Sequence, residues 1–135
     1  MAQPIVISRT PDYSDLDLDF IAHPMTKDVV VKTGADAIKR SVRNLILSNF
    51  YEKPFRPGVG SNAVKLLFDN MSPLVSNFLK DAIKEVIQNY EPRVQLINVT
   101  VVPDFDNNGY AARLDFIVLN RNQPLTTTIF LERVR

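Results

Sequence analysis

The segment Asn89-Tyr90-Glu91-Pro92-Arg93-Val94 separates two kinds of residue pattern in this chain. Before it, apolar residues recur at helical spacing, and after it they alternate as they do in strands. Pro92 lacks the amide hydrogen that a helix interior needs, and it disfavours the helical conformation for Glu91. The segment therefore predicts a tight helix-to-strand junction within a fold of the α+β class.

Glu91 and Arg93 flank the proline and lie two residues apart, so an extended backbone points both side chains toward the same side. The junction would thus display a carboxylate and a guanidinium together on a stiff corner. On physical grounds alone, an ordinary turn with solvated charges is the commoner case. The sharper alternative is a rigid bidentate clamp for another protein chain, and the residues themselves leave both interpretations open.

The composition indicates one compact domain and excludes several kinds of chemistry. The chain has 135 residues, of which 45% are apolar, and its 16 basic and 15 acidic residues give a net charge of +1. So small a charge provides no overall field for attracting nucleic acid or an anionic membrane. The absence of cysteine excludes disulfides, thiolate metal sites and cysteine nucleophiles, and fits the reducing cytoplasm. No stretch approaches the ~18 apolar residues of a membrane span, and no leader pattern is present.

The beginning of the chain predicts an irregular arm followed by a hairpin. Residues 1–14 contain two prolines and little periodicity, and residues 15–135 are expected to form the single domain. Asp15 to Phe20 alternates strictly, which predicts a strand with Leu16, Leu18 and Phe20 on its buried face. A turn at residues 23–28 leads to a β-branched run at residues 29–31, which would complete the hairpin.

The middle of the chain predicts three helices. The first is expected over about residues 35–48, the second over 62–70, and the third from an N-cap at Ser72 to Tyr90. The third helix has the broadest apolar stripe and should be the main core helix. An ordered loop rich in proline, glycine and aromatic residues is expected at 49–61.

After Pro92, the pattern predicts a three-stranded antiparallel meander over residues 94–102, 110–119 and 125–134. The expected fold is therefore about three helices packed on a small C-terminal sheet, with an N-terminal hairpin. Within the last strand, the segment from Thr126 to Leu131 has high β-propensity and lacks the proline or inward charge that protects many exposed edges. The residues of this segment are candidates for pairing with a strand of a partner: Thr126, Thr127, Thr128, Ile129, Phe130 and Leu131.

Other patterns give little support for catalysis or small-ligand binding. Lys39, Arg40 and Arg43 could contact phosphate, but a solvated helix face is the commoner case, and the net charge opposes nucleic-acid binding. Gly58 and Gly60 lack the remaining residues of a phosphate-binding loop. The sequence thus predicts no catalytic residue, cofactor or metal site.

Several elements together, in their order and spacing, resemble a known family. They are His23-Pro24, Asp36-Ala37-Ile38, Pro54-Phe55-Arg56-Pro57 with Gly58 and Gly60, Leu67-Phe68-Asp69-Asn70, and Tyr90-Glu91-Pro92-Arg93. The chain resembles the baseplate wedge, or sheath-initiator, family of contractile phage tails, which includes the matching baseplate subunit of type VI secretion systems. The resemblance covers the chain from about residue 20 to its end.

The resemblance implies a structural protein of the tail baseplate in the virion, made in the host cytoplasm. It implies that Tyr90, Glu91, Pro92 and Arg93 engage the core bundle of the other wedge subunits. It further implies that the C-terminal strands receive strands from the first ring of the tail sheath protein, with the tail tube or hub as a further candidate partner. Partners of other kinds, nucleic acid and membrane, are not expected.

The resemblance also raises an alternative, since members of this family have been described as lysozyme-like. A glycoside hydrolase acting on peptidoglycan needs two carboxyl groups, one of them with a raised pKa. The chain offers Glu85 and Glu91 near the end of one helix. Arg93 should lower the pKa of Glu91, so we expect no enzymatic activity.

Overall fold

The computed structural model describes residues 13–17, 19–119, 121 and 123–133. The chain divides into two compact units, Met1–Ala37 and Ile38–Arg135. Its strands and helices follow in the order β1 (Ser14–Leu16), β2 (Val31–Thr33), α1 (Gly34–Leu47), α2 (Ala63–Leu66), α3 (Pro73–Tyr90), β3 (Val94–Asp104), β4 (Gly109–Val118) and β5 (Pro124–Glu132). Three helices, a C-terminal antiparallel sheet and an N-terminal hairpin confirm the predicted α+β class.

The hairpin lies in the first unit. β1 pairs antiparallel with β2, with Ser14 opposite Thr33 and Leu16 opposite Val31, and an isolated bridge joins Ala22 to Val29. Of the predicted arm, residues 1–12 lie outside the described residues, and Ser14 already belongs to β1.

The prediction for the faces of the first strand is wrong. Leu16 and Phe20 are 59% and 68% exposed, whereas Asp17 is buried; Leu18 lies outside the described residues. The Asp17 carboxylate accepts a hydrogen bond from the Asp19 amide at 3.3 Å and lies 3.8 Å from the ammonium of Lys32 on β2. The chain also turns at Phe20, whose φ of 51° is not a strand conformation. The strand therefore ends at Leu16, well before Phe20, and Lys32 and the Asp19 amide hold the Asp17 carboxylate in its buried position.

Helix α3 forms where the sequence predicts it. Ser72 is the N-cap, and its hydroxyl accepts a hydrogen bond from the Val75 amide at 3.2 Å. Pro73 occupies the first turn, where its missing amide hydrogen costs nothing. The helix ends at Tyr90, because the following Pro92 keeps Glu91 out of the helical conformation, at φ −122° and ψ 80°. Its buried face is formed by Val75, Ser76, Leu79, Ile83, Val86 and Ile87.

Helix α2 is shorter than predicted. Residues 62–70 were expected to be helical, but only Ala63–Leu66 form the helix. The amides of Leu67, Phe68 and Asp69 each bond to a carbonyl three residues back, at 3.2 Å. Such bonds close tight turns rather than α-helical turns, so the helix ends at Leu66 and a turn segment connects it to the N-cap of α3 at Ser72.

The C-terminal sheet has the order β3-β4-β5, with both pairs antiparallel, so the predicted meander is confirmed. Helix α3 packs against β3. The central strand buries the face predicted for it, through Tyr110, Ala112, Leu114, Phe116 and Val118. β5 ends at Glu132, and the predicted terminal residue Val134 lies outside the described residues.

Within the described part of the chain, no helix combines the length and the apolar character that crossing a membrane requires.

Candidate functional site

The helix-to-strand junction is organised around the carboxylate of Glu91. This residue is 3% exposed, although it lies in a connection between two elements. Arg93 donates two hydrogen bonds to this carboxylate, one from Nε to Oε1 at 2.6 Å and one from Nη2 to Oε2 at 2.9 Å. The charged pair expected on one side of the corner is thus a bidentate fork within the chain itself.

A third donor comes from a distant part of the chain. The Ser41 hydroxyl, on α1, donates to Glu91 Oε2 at 2.6 Å. Ser41 was not predicted as part of the site, because the two residues lie 50 positions apart and neither belongs to a sequence motif that would link them. The bond ties helix α1 to the end of helix α3.

The surroundings of Glu91 also set its protonation state. Burial alone would raise the pKa of this carboxyl group, but the hydrogen bonds from Arg93 and Ser41, together with the positive charge of Arg93, outweigh burial and lower the pKa below its usual value. The direction agrees with the prediction. Glu91 is therefore an ionised acceptor at neutral pH and is poorly suited to donating a proton.

The other junction residues lie nearer the surface. The Tyr90 side chain is 37% exposed, and its hydroxyl donates to the carbonyl of Gly58 in the loop before α2. Pro92 is exposed, and the Arg93 side chain is 24% exposed. Glu91 thus points inward, while Tyr90, Pro92 and part of Arg93 form the outer surface of the corner.

The loop at residues 49–61 folds back on the end of α1. The Ser61 amide donates to the Ser48 carbonyl at 2.9 Å, and the Ser61 hydroxyl donates to the Ile46 carbonyl at 2.6 Å. Gly60 permits this approach, because a Cβ there would come within 2.6 Å of the backbone of Asn49. The loop is therefore ordered, as expected, and it places the Gly58 carbonyl within reach of Tyr90.

β5 is an edge strand, and the register shows which of its amides face outward. The amide of Arg133 donates to the carbonyl of Asn108 at 3.0 Å, just beyond the paired residues Gly109 and Glu132. Hydrogen-bonded and non-hydrogen-bonded pairs alternate in an antiparallel ladder. The backbone groups of the odd-numbered β5 residues therefore face β4, and those of the even-numbered residues face away from it.

A hydrogen bond on the other side of β4 gives the same result. The Leu119 amide donates to the Arg93 carbonyl at 3.0 Å, so odd-numbered β4 residues bond toward β3. The even-numbered β4 residues, such as Leu114, must then bond toward β5, and Leu114 lies opposite Thr127.

The predicted docking residues therefore divide into two groups. Thr127, Ile129 and Leu131 use their backbone groups to pair with β4, and Ile129 and Leu131 are buried. The backbone groups of Thr126, Thr128 and Phe130 point out from the edge. No described strand lies beyond β5.

The exposed face near this edge is locally well packed. Phe130 lies over Gly109, where an added Cβ would come within 2.5 Å of its ring. The Thr126 hydroxyl donates to Asp115 Oδ1 across the strands at 2.7 Å. These contacts hold the outermost strand against β4.

The remaining sequence candidates do not form a catalytic cluster. Lys39 and Arg40 are half-buried on α1, and Arg43 is exposed. Glu85 is exposed on α3. Among the described residues, no three histidine, aspartate or glutamate side chains are grouped so as to hold a metal ion.

Comparison with known proteins identifies related sequences. Residues 32–121 match the model of the family described as baseplate wedge protein gp25. The chain is 32% identical over 108 residues to the baseplate wedge protein gp25 of Enterobacteria phage T4, covering 80% of this chain and 81% of that protein.

Solved structures with low sequence identity share the fold. A crystal structure described as a tail lysozyme, from Geobacter sulfurreducens, has a TM-score of 0.72 at 19% identity and covers 78% of this chain and 96% of its own. A chain of the anti-feeding prophage baseplate has a TM-score of 0.62 at 18% identity, covering 92% and 88%. A chain of the type VI secretion system baseplate complex has a TM-score of 0.54 at 16% identity, covering 70% and 91%.

Proposed function

Because the chain belongs to the baseplate wedge protein gp25 family, and is thus a structural component of a contractile-tail baseplate, we propose two specific roles for it. The surface formed by Tyr90, Pro92 and Arg93 binds the core bundle of the other wedge subunits. The outer edge of β5 starts sheath assembly by pairing with a strand of the sheath protein. Its place is the baseplate of the virion tail.

The orientation of the β5 backbone carries the sheath proposal. Thr126, Thr128 and Phe130 direct amide and carbonyl groups outward at intervals of about 7 Å, twice the rise per strand residue. An incoming strand presents its own groups at the same interval. Strand addition takes its affinity from main-chain hydrogen bonds, so this edge suits a partner that contributes an extended segment.

The start of β5 also limits where pairing can occur. Pro124 lies in a non-hydrogen-bonded pair with Ile117, so its nitrogen faces outward without a hydrogen to donate. The pairing edge therefore begins after Pro124 and extends toward Glu132. Phe130 is 43% exposed on the same strand and could contact a side chain of the added strand.

The junction surface supports the wedge proposal through its rigidity. The Glu91 carboxylate accepts two hydrogen bonds from Arg93, and the Gly58 carbonyl accepts one from the Tyr90 hydroxyl. Side chains already fixed in one rotamer lose little entropy when a partner binds them. The buried carboxylate thus prepares the binding surface without itself meeting the partner.

Proline substitution tests the sheath proposal. Thr128→Pro removes an outward amide hydrogen while leaving the β4 ladder intact, and we expect particles with completed baseplates and tubes but no extended sheath. Thr128→Val is the matched control, since it changes the side chain and keeps the amide. Electron microscopy of mutant particles gives the readout. Full-length sheath on particles carrying either Thr126→Pro or Thr128→Pro would contradict docking at this edge.

A conservative substitution tests the wedge proposal. Arg93→Lys keeps the positive charge but removes the planar fork, so we expect capture of the other wedge subunits in a pull-down to fall at least about tenfold. Arg43→Lys, at an exposed position on α1, is the control and should have no effect. If Arg93→Lys and Arg43→Lys captured the wedge subunits equally well at high salt, Arg93 would act only within its own folded chain and the wedge proposal for it would fail.

The hydrolase alternative has less support. The likeness to the Geobacter sulfurreducens structure is at 19% identity and concerns the fold. Glu91, one of the two candidate carboxyl groups, has a lowered pKa and is held by Arg93 and Ser41, which is the opposite of what a general acid needs. We expect purified protein to clear no peptidoglycan, and clearing abolished by Glu85→Gln would overturn the purely structural role.

A further inference from the structure

A small pocket lies between the second half of α3 and the loop before α2. Its volume is about 40 Å³, and the residues that line it include Phe50, Tyr90, Glu85 and Asn89. Glu85 and Asn89 are one helical turn apart, so their side chains project from the same face of α3. Asn62 lines the pocket from the other side.

Three polar side chains that line this pocket, those of Asn62, Glu85 and Asn89, are not used inside the described chain. Asn62 precedes α2, but its side chain makes no capping hydrogen bond. Within residues 13–17, 19–119, 121 and 123–133, the side chains of Glu85 and Asn89 make no hydrogen bond or ion pair. One glutamate and two asparagines therefore line a concavity together with two aromatic residues.

We infer that this pocket binds an arginine side chain of another baseplate subunit. Carboxylate and amide oxygens accept hydrogen bonds, and the five donors of a guanidinium match three such groups better than the point charge of an ammonium does. Its planar head can also stack on the ring of Phe50 or Tyr90. The volume suits a head group of a few atoms rather than a larger ligand.

The location of the pocket favours a protein partner. Tyr90 lines the pocket and is also the first residue of the junction surface formed by Tyr90, Pro92 and Arg93. A chain bound to the junction would pass beside the pocket. The identity of this partner rests on the proposed function, whereas the chemistry of the pocket does not depend on it.

The chemistry can be tested on the isolated full chain with N-acetyl-L-arginine amide as the probe. We expect a saturable shift of the Asn62 and Asn89 side-chain NMR signals. Binding should weaken at least tenfold for the isosteric but uncharged N-acetyl-L-citrulline amide, and by a similar factor for Glu85→Gln. Equal responses to both probes, or no saturable response, would overturn the inference even if the wedge proposal holds.

The source of the arginine can be tested with the other wedge subunits. Glu85→Gln should reduce their capture about tenfold, and the control Asp106→Asn, at an exposed position in the turn between β3 and β4, should not. Unchanged capture by Glu85→Gln, combined with probe binding by the wild type, would assign the pocket to a free small cation and overturn the part of the inference that names a subunit. If wild-type protein captures no subunit, the wedge proposal fails, and the probe experiment alone decides the pocket.

Discussion

Ser41 donates a hydrogen bond to the buried carboxylate of Glu91, with 2.6 Å between Oγ and Oε2. Arg93 supplies two further donors to the same carboxylate, so three hydrogen bonds compensate for its removal from water. Ser41 lies on α1, and Glu91 and Arg93 lie in the junction between α3 and β3, so their bonds hold α1 against this junction. The conformation of the outer junction surface depends on this interior network.

Removal of the serine hydroxyl should destabilise the protein measurably. Ser41→Ala leaves Glu91 with one donor fewer, and we expect a loss of about 1–2 kcal/mol in the free energy of unfolding by urea. Ser48→Ala is the control, because the Ser48 hydroxyl, just after the end of α1, donates to the carbonyl of Asn44 four residues earlier. Equal losses for the two variants would show that the Glu91 network contributes nothing particular to stability.

The stability that Glu91 provides should depend on pH. Its pKa in the folded protein is lowered from the usual 4.5, so its contribution is fully present above about pH 4.5 and is lost as the pH falls through the folded-state pKa. Glu91→Gln should therefore be less stable than the wild type at pH 7, by about 2–3 kcal/mol, with a difference that shrinks in more acidic solution. Urea midpoints measured from pH 7 to pH 3 check this. A constant difference over that range would contradict an ionised Glu91.

Proline substitutions along β5 should alternate in their effect on folding. Thr127→Pro removes an amide that bonds to β4, so we expect a loss of roughly 3 kcal/mol or more in the free energy of unfolding. Thr126→Pro and Thr128→Pro remove outward amides and should each cost about 1 kcal/mol or less. Thermal unfolding of the isolated chain distinguishes them, and similar losses at all three positions would contradict the inferred ladder.

Gly109 should resist substitution because Phe130 covers it. In Gly109→Ala, the new Cβ would lie 2.5 Å from the Phe130 ring and 2.6 Å from the Leu131 carbonyl, so we expect a loss of about 1–3 kcal/mol. Gly58→Ala is the control, since the nearest atom to its Cβ would be 3.9 Å away. Near-neutral effects for both variants, measured by thermal unfolding, would show that β5 can move away from β4 at little cost.

Local chemistry in the sequence determined most of the architecture. Ser72 and Pro73 specify the start of α3 through the cap and the first-turn proline, and Pro92 specifies its end. The alternation after Pro92 specifies the three strands and the buried face of β4. Each of these features depends on residues a few positions apart, which is why the pattern alone could predict them.

The same reasoning failed where local preferences were weak or overridden. The alternation at Asp15–Phe20 predicted buried leucines, yet Asp17 is the buried residue, because Lys32 and the Asp19 amide are its partners. Asn62–Asn70 has helical spacing, yet a run of tight turns ends α2 at Leu66. In both cases, hydrogen bonds formed in the folded chain decided the conformation.

The sequence by itself indicated that Glu91 and Arg93 share one side of a stiff junction and that the segment from Thr126 to Leu131 contains no protecting proline or charge. Only the tertiary structure decided that Glu91 points inward to Ser41, that Thr128 rather than Thr127 turns its amide outward, and that Glu85 faces a pocket. The physical reason is distance along the chain. A period-two pattern fixes which face of a strand is buried, but the direction of each amide depends on pairing with a neighbouring strand, and the donors around a buried carboxylate come from residues that folding alone brings together.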